Sequence, residues 1–186
     1  MPRRLIDFHA HAFPDAIAHR VIDHLEQQAG GLKPVTDGTL AATDAIMRKW
    51  GVSHYVIHNI ATRPDQQQTI NDHAAAIQNG RIFSFGSVHP DAPDALTELT
   101  RIKSLGLLGV KLHPDYQDFF IDETRMDPIY AAIQDLDLIA FFHTGYDPIS
   151  PGHLHSWPAA VARVRRRFPR MRMVAAHVAG IADKPE

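Results

Sequence analysis

The sequence predicts an α/β fold built on a parallel sheet. Three observations predict it. Short apolar runs alternate with segments of helical period, the runs are rich in β-branched and aromatic residues, and Pro or Gly follows most of them. A run that is apolar at nearly every position, such as Leu138-Ile139-Ala140-Phe141-Phe142, fits a strand covered on both faces, as parallel strands are. Strand–helix alternation leaves two architectures open, a doubly wound open sheet or a (β/α) barrel.

The elements follow in order. Arg4–His9 reads as the first strand. Pro14 suits a first helical position, with Ile17, Val21 and Leu25 on one stripe. Residues 30–42, with Gly30-Gly31-Leu32-Lys33-Pro34, read as an insertion. Thr43 is placed to cap a helix over Asp44–Trp50, with Ile46, Met47 and Trp50 inward and Gly51 as its stop. Then come the strand His54–Ile60, the helix Asp65–Gln78 and the strand Arg81–Val88. The helix Pro93–Ser104 carries Leu96, Leu99 and Ile102. The strand Leu107–His113 leads to a helix opened by Asp127-Pro128. The strand Leu138–His143 is followed by a Gly-, Pro- and Ser-rich loop over residues 145–156. Ser156 then precedes a helix begun by Trp157-Pro158, and the strand Met171–Val178 is the sixth.

Composition excludes several classes. Without cysteine, the 186-residue chain has no disulfide scaffold, thiolate metal site or cysteine nucleophile. A net charge of −2 leaves no basic field for nucleic acid, and Arg163 with Arg165–Arg167 reads as a solvated helix face. No GxGxxG follows the first strand, which disfavours a dinucleotide site. No signal peptide or membrane-length apolar run is visible, so the expected location is cytoplasmic, with no membrane partner. The 13 histidines stand out, because histidine is the commonest metal ligand and titrates near neutrality.

Histidines sit where four of the runs stop: His9 with His11, then His113, His143 and His177. In parallel α/β folds the loops at carboxyl ends of strands form the pocket. Strand parity puts Asp7, His9 and His11 on one face and Phe8 on the other. It pairs Lys111 with His113, leaving Val110 and Leu112 to pack under helices. It also pairs His143 with Phe141, and His177 with Ala175. If the polar parity points into a barrel, Asp7, His9, His11, Lys111, His143 and His177 converge. Two imidazoles of a His-x-His strand end can grip one cation. Asp7 would be either an inner-layer residue or an acceptor that orients a ligand.

The segments Ile6-Asp7-Phe8-His9-Ala10-His11, Gly109-Val110-Lys111-Leu112-His113-Pro114, Phe142-His143-Thr144-Gly145 and Ala176-His177-Val178-Ala179-Gly180 together resemble the amidohydrolase superfamily. The likeness is greatest to the branch with aminocarboxymuconate-semialdehyde decarboxylase-like and resorcylate decarboxylase-like enzymes, and it runs through essentially the whole chain. The resemblance implies a TIM (β/α)8-type barrel carrying a divalent metal, zinc first and manganese second. It implies His9 and His11 as first-strand ligands, His143 as the fifth-strand ligand, and His177 as a further ligand or catalytic group. Lys111 stands where related enzymes carry a carboxylated bridging lysine; binding of a substrate carboxylate and a structural ion pair are its other readings.

His113, Tyr116, His153 and His155 are candidates for substrate contact, and His58, His89 and Phe119 could also line the pocket. His19, His24 and His73 read as exposed helix residues. The resemblance further implies an aspartate at the end of an eighth strand. Only about six βα units are countable in residues 1–186, and Asp183 follows the sixth strand, so it is not given that role. A full barrel takes about 250 residues, so the domain is expected to be incomplete at its C-terminus. The expected activity is metal-dependent hydrolysis of a C–O or C–N bond in a small molecule. Decarboxylation of a small carboxylic acid is the alternative. A metal-binding or assembly module without turnover is the reading of another class, and a homo-oligomer is compatible with any of them.

Overall fold

The six apolar runs become six strands in the computed structural model, which describes residues 4–29, 32–150 and 152–180. The expectations for Gly30, Gly31 and Asp183 fall outside the described residues. The strands are β1 (Leu5–Ala10), β2 (Val52–His58), β3 (Ile82–Phe85), β4 (Gly109–Leu112), β5 (Ile139–Phe142) and β6 (Arg172–Ala175). The helices are α1 (Asp15–Gln28), α2 (Leu40–Lys49), α3 (Gln67–Ala76), α4 (Ala95–Ser104), α5 (Asp127–Asp135) and α6 (Pro158–Arg167).

All pairings are parallel. β1, β2 and β3 form one group in that order, and β4, β5 and β6 form the next. Gly86 joins them. It bridges to Val110, its N–H donates to Gly109 O at 3.0 Å, and its oxygen accepts from Lys111 N at 2.8 Å. The strands therefore run in chain order as one curved parallel array, the barrel arrangement rather than the doubly wound sheet.

Alternation of side chains divides the strands into two layers. Val110, Leu112, Ala140 and Phe142 face outward into a core with Leu99, Ile102, Ile129, Ile133 and Val164 from α4, α5 and α6. Tyr55, Ile57 and Ile82 do the same with Met47 of α2. The inner layer holds Val56, Phe85, Phe141 and Ala176, flanked by Phe83, Ile139 and Val174. Gly109 belongs to this layer. A Cβ there would stand 2.4 Å from a Phe85 ring carbon, so the absence of a side chain lets the ring lie across β4.

Local boundaries differ from the sequence reading. Thr39, not Thr43, caps α2: its hydroxyl accepts from Ala42 N at 3.2 Å, while Asp37 accepts from Thr39 N. Thr43 is buried within the helix, which starts at Leu40, one turn before the expected start. Trp50 is exposed rather than inward, because the helix ends at Lys49. Pro14 is the residue before α1 rather than its first member. The expected third helix opens as a separate turn over Pro64–Gln66. Phe119 packs in the outer core and does not line the pocket. No described helix is long and apolar enough to cross a membrane.

Candidate metal centre

The first strand reaches the site through a bulge. Between Asp7 and Ala10 it advances three residues while β2 advances two, from Tyr55 to Ile57. Asp7 is paired with the outward-facing Tyr55, so the expected parity is reversed at this point. Phe8 faces inward, its ring 5.8 Å from Phe85 and 6.1 Å from Phe141. The additional residue then turns His9 inward as well, with its ring 4.8 Å from Phe141. The Asp7 carboxylate accepts from His9 N at 2.9 Å and closes the bulge. Asp7 is therefore a main-chain clamp, and it neither joins the inner layer nor orients an imidazole.

Strand two holds what the bulge presents. His11 Nδ1 lies 3.0 Å from the His58 carbonyl oxygen, and only a protonated Nδ1 can donate to it. The lone pair of neutral His11 is thereby left on Nε2, which stands 3.2 Å from His9 Nε2. The His58 ring in turn donates from Nε2 to Phe8 O at 2.8 Å and rests 4.0 Å from the Phe141 ring.

His177 reaches the site by a different route from the one expected. Ala175 pairs with the outward-facing Phe142, and Ala176 lies in the inner cluster, so simple alternation would send His177 outward. Instead His177, Val178 and Ala179 have φ of 56°, 54° and 63°. This left-handed turn costs about 1–2 kcal/mol per residue. It swings the His177 ring to 5.2 Å from His9 and 4.9 Å from His143.

Lys111 is only 1% exposed. Its Nζ lies 3.4 Å from His9 Nε2 and 4.6 Å over the Phe141 ring. Among the described residues it has no carboxylate within 4 Å, so the structural ion pair is not formed. Burial brings its ammonium down to about 7, against the opposing pull of Asp147. Burial also brings His9 down to about 2 and His58 and His143 to about 3, with the Lys111 charge adding in each case. These rings are neutral at neutral pH, the form that binds a cation.

The loops after β4 and β5 complete the pocket wall. His113 is stacked between Tyr116, at 3.7 Å, and His143, at 4.1 Å, with near-parallel planes. Gln117 anchors this stack. Its oxygen accepts from His113 N, and its amide donates to the carbonyls of Ala61 and Val88. Asp147 is buried beside His113. His155 lies away from the histidine cluster, held by Asp115 and the Pro114 carbonyl. His153 is exposed and 5.8 Å from His155. The sequence reading missed Asp147 and Gln117. Their only signal is a place in a loop after a strand, which many polar residues share.

Two parts of the donor set fit a divalent cation: the His9–His11 pair, and His143, whose ligand atom among the described residues groups within 4.8 Å with His113 and Asp147 rather than with that pair. Two nitrogens bound to one ion at ~2.0–2.1 Å stand roughly 3 Å apart, which matches the His9–His11 separation. His143 Nε2 is buried without a hydrogen-bond partner, an unsatisfied state that a metal would relieve.

Comparisons with known proteins agree with this architecture. Solved structures with similar folds include an uncharacterized TIM-barrel protein from Bordetella bronchiseptica, with TM-score 0.72 and 18% identity over 93% of this chain and 66% of that one. The IDCase of Metarhizium anisopliae in its apo form gives 0.68 and 18%, over 95% and 65%. The 5-carboxyvanillate decarboxylase of Sphingomonas paucimobilis gives 0.70 and 17%, over 92% and 67%. The chain thus spans about two thirds of the length of these structures and shares their TIM-barrel fold. No curated protein matches it significantly. The model of the amidohydrolase family matches residues 6–186. With all but its first five residues inside that match, the chain belongs to the amidohydrolase family.

Proposed function

We propose that this chain carries the metal-binding part of a metal-dependent amidohydrolase that breaks a C–O or C–N bond of a small molecule. One observation carries the reading: His9 and His11 present Nε2 atoms 3.2 Å apart, with the His11 tautomer fixed by strand two. His9, His11 and His143 are the residues that would hold the ion, zinc by the chemistry of imidazole donors and manganese by the family resemblance. When bound, such an ion supplies Lewis acidity toward a carbonyl oxygen and toward a water molecule.

The protein groups divide the remaining work. His177 is exposed beside both His9 and His143, a position from which its ring can exchange a proton with substrate. Lys111 places a buried amine against His9, where it can bind a carboxylate or a developing negative oxygen. Phe141 and Phe85 form a dry floor beneath the imidazoles. His113 and Tyr116 shape the wall.

Lys111 favours a second reading, metal-dependent decarboxylation of a small carboxylic acid. A buried amine with no carboxylate partner of its own within 4 Å suits a substrate that brings one. The fold accommodates such chemistry, since it is shared with a 5-carboxyvanillate decarboxylase.

Elemental analysis of the purified protein tests the metal, with near-stoichiometric zinc or manganese expected. The double variant His9→Ala/His11→Ala is expected to lose it, and unchanged metal content there would overturn the ligand assignment. Incubation with lactones, amides and aromatic carboxylates, read by acid release against CO2 release, separates the two reactions. A metal-loaded protein inert toward the whole panel would be a binding module instead.

A further inference from the structure

We propose that Asp147, from the loop after β5, is a carboxylate ligand that shares the divalent cation with His143. The inference rests on the metal-dependent reading above and adds to it a residue outside the histidine motifs.

A nitrogen of His143 and a carboxylate oxygen of Asp147 lie within 4.8 Å of each other, with His113 in the same group. His113 is not a donor in this arrangement. Its Nδ1 accepts from Tyr116 N at 3.3 Å, so the proton of the neutral ring sits on Nε2, which has no lone pair to offer. That Nε2–H faces Asp147 Oδ2 at 3.7 Å, too far for a hydrogen bond. His113 therefore acts as a spacer, stacked on His143 and facing the carboxylate.

The two remaining groups are both more than nine-tenths buried. His143 Nε2 and Asp147 Oδ2 are each without a hydrogen-bond partner. A buried carboxylate oxygen left without a full hydrogen bond is costly; its polar neighbours are the His113 Nε2–H at 3.7 Å and the Tyr116 hydroxyl, whose proton the Asp147 charge helps to hold. The other oxygen, Oδ1, is already used by Ile149 N at 3.0 Å, which fixes the carboxylate in its turn. The loop base is fixed as well: Gly145 N donates to Ser156 O, and Ser156 Oγ donates to His143 O. A cation between Oδ2 and Nε2 satisfies both atoms with ligand types that zinc and manganese accept. It also places a negative charge beside the neutral His143 imidazole.

The test uses metal-stripped full chain titrated with Zn2+ in a calorimeter, and the same protein loaded with Co2+ for its visible ligand-field bands. Asp147→Asn keeps the acceptor for Ile149 N and removes the charge. It is expected to weaken Zn2+ binding by about a hundredfold, the upper range for loss of even an outer partner, and to shift the Co2+ bands. Asp147→Ser, which can still close the turn, serves if the Asn variant fails to fold, and Asp147→Glu is expected to recover part of the affinity. Wild-type affinity in Asp147→Asn overturns the proposal, and so does weakened binding with unchanged Co2+ bands, which would place the carboxylate outside the ion's shell. If His9→Ala/His11→Ala loses the ion while Asp147→Asn keeps it, the metal reading stands and only this proposal fails. If the wild-type chain takes up no ion, both fail.

Discussion

The carbonyl oxygen of His58 lies 3.0 Å from Nδ1 of His11. This contact makes strand two the orienting support of the histidine-bearing end of strand one. The His58 ring acts on the same strand, donating to the Phe8 carbonyl. One residue thus holds the bulge from two sides. His58→Phe preserves the aromatic packing against Phe141 and removes the ring donor. The expected result is a loss of about 1–3 kcal/mol of stability, the usual consequence of an unpaired buried carbonyl. Metal affinity should fall with it, and a chemical melt together with a Zn2+ titration measures both.

Asp7 acts through the main chain. Asp7→Ala leaves His9 N without its acceptor and is expected to cost about 1 kcal/mol and to lower metal affinity roughly tenfold. Asp7→Asn keeps a side-chain oxygen for the same N–H and should remain close to wild type. Equal affinity in all three proteins would show that the clamp does not set the His9 position.

Gln117 satisfies three main-chain groups at once: His113 N, Ala61 O and Val88 O. Gln117→Leu has similar bulk and strands all three. The expected destabilisation is on the order of 3 kcal/mol, read by urea denaturation. A change below the error of that measurement would mean that water or a shifted loop replaces the amide.

The neutral imidazoles make the metal-free protein acid-sensitive. His58 and His143 are held at about 3 by burial, while an unfolded histidine titrates near 6.5. Below 6.5 the unfolded chain takes up protons that the folded chain refuses. The stabilisation is therefore complete above 6.5 and declines as pH falls toward 3. The slope is on the order of 1 kcal/mol per pH unit for each group. Urea melts of metal-free protein at pH 7.5, 6 and 5 stay above most carboxylate titrations and should show this decline. A flat profile would mean that these rings are already charged in the fold.

Gly109 tests the inner layer. In Gly109→Ala the added carbon meets the Phe85 ring at 2.4 Å and the Ile139 carbonyl oxygen at 2.7 Å. Overpacking of this kind costs about 1–3 kcal/mol, visible as a lower thermal midpoint.

Much of this is legible in residue order. Val110 and Leu112 lie under the helices and Lys111 lies inside, as alternation from a parallel strand requires. His143 follows Phe141 into the interior for the same reason. Alternation failed where the backbone departs from a regular strand. At His9 a bulge inserts a residue, and at His177 a left-handed turn re-aims the ring. Neither has a marker in the local sequence, since no glycine or proline sits at either position. The cap of α2 was misread because Thr39 and Thr43 are one turn apart and chemically equivalent, and only the buried contacts of Thr43 separate them.

The sequence by itself determined the parallel βα order, the strand ends that carry histidine and the family likeness. These depend on periodicity and on motifs of a few adjacent residues. Tertiary structure alone decided which atoms are free to bind. The His11 tautomer is set by a carbonyl 47 residues away in the chain, and the His113 proton by a turn in the next loop. The burial of Asp147 Oδ2 without a full hydrogen bond depends on several elements at once. Such properties arise from distances between segments remote in sequence, and local pattern contains no record of them.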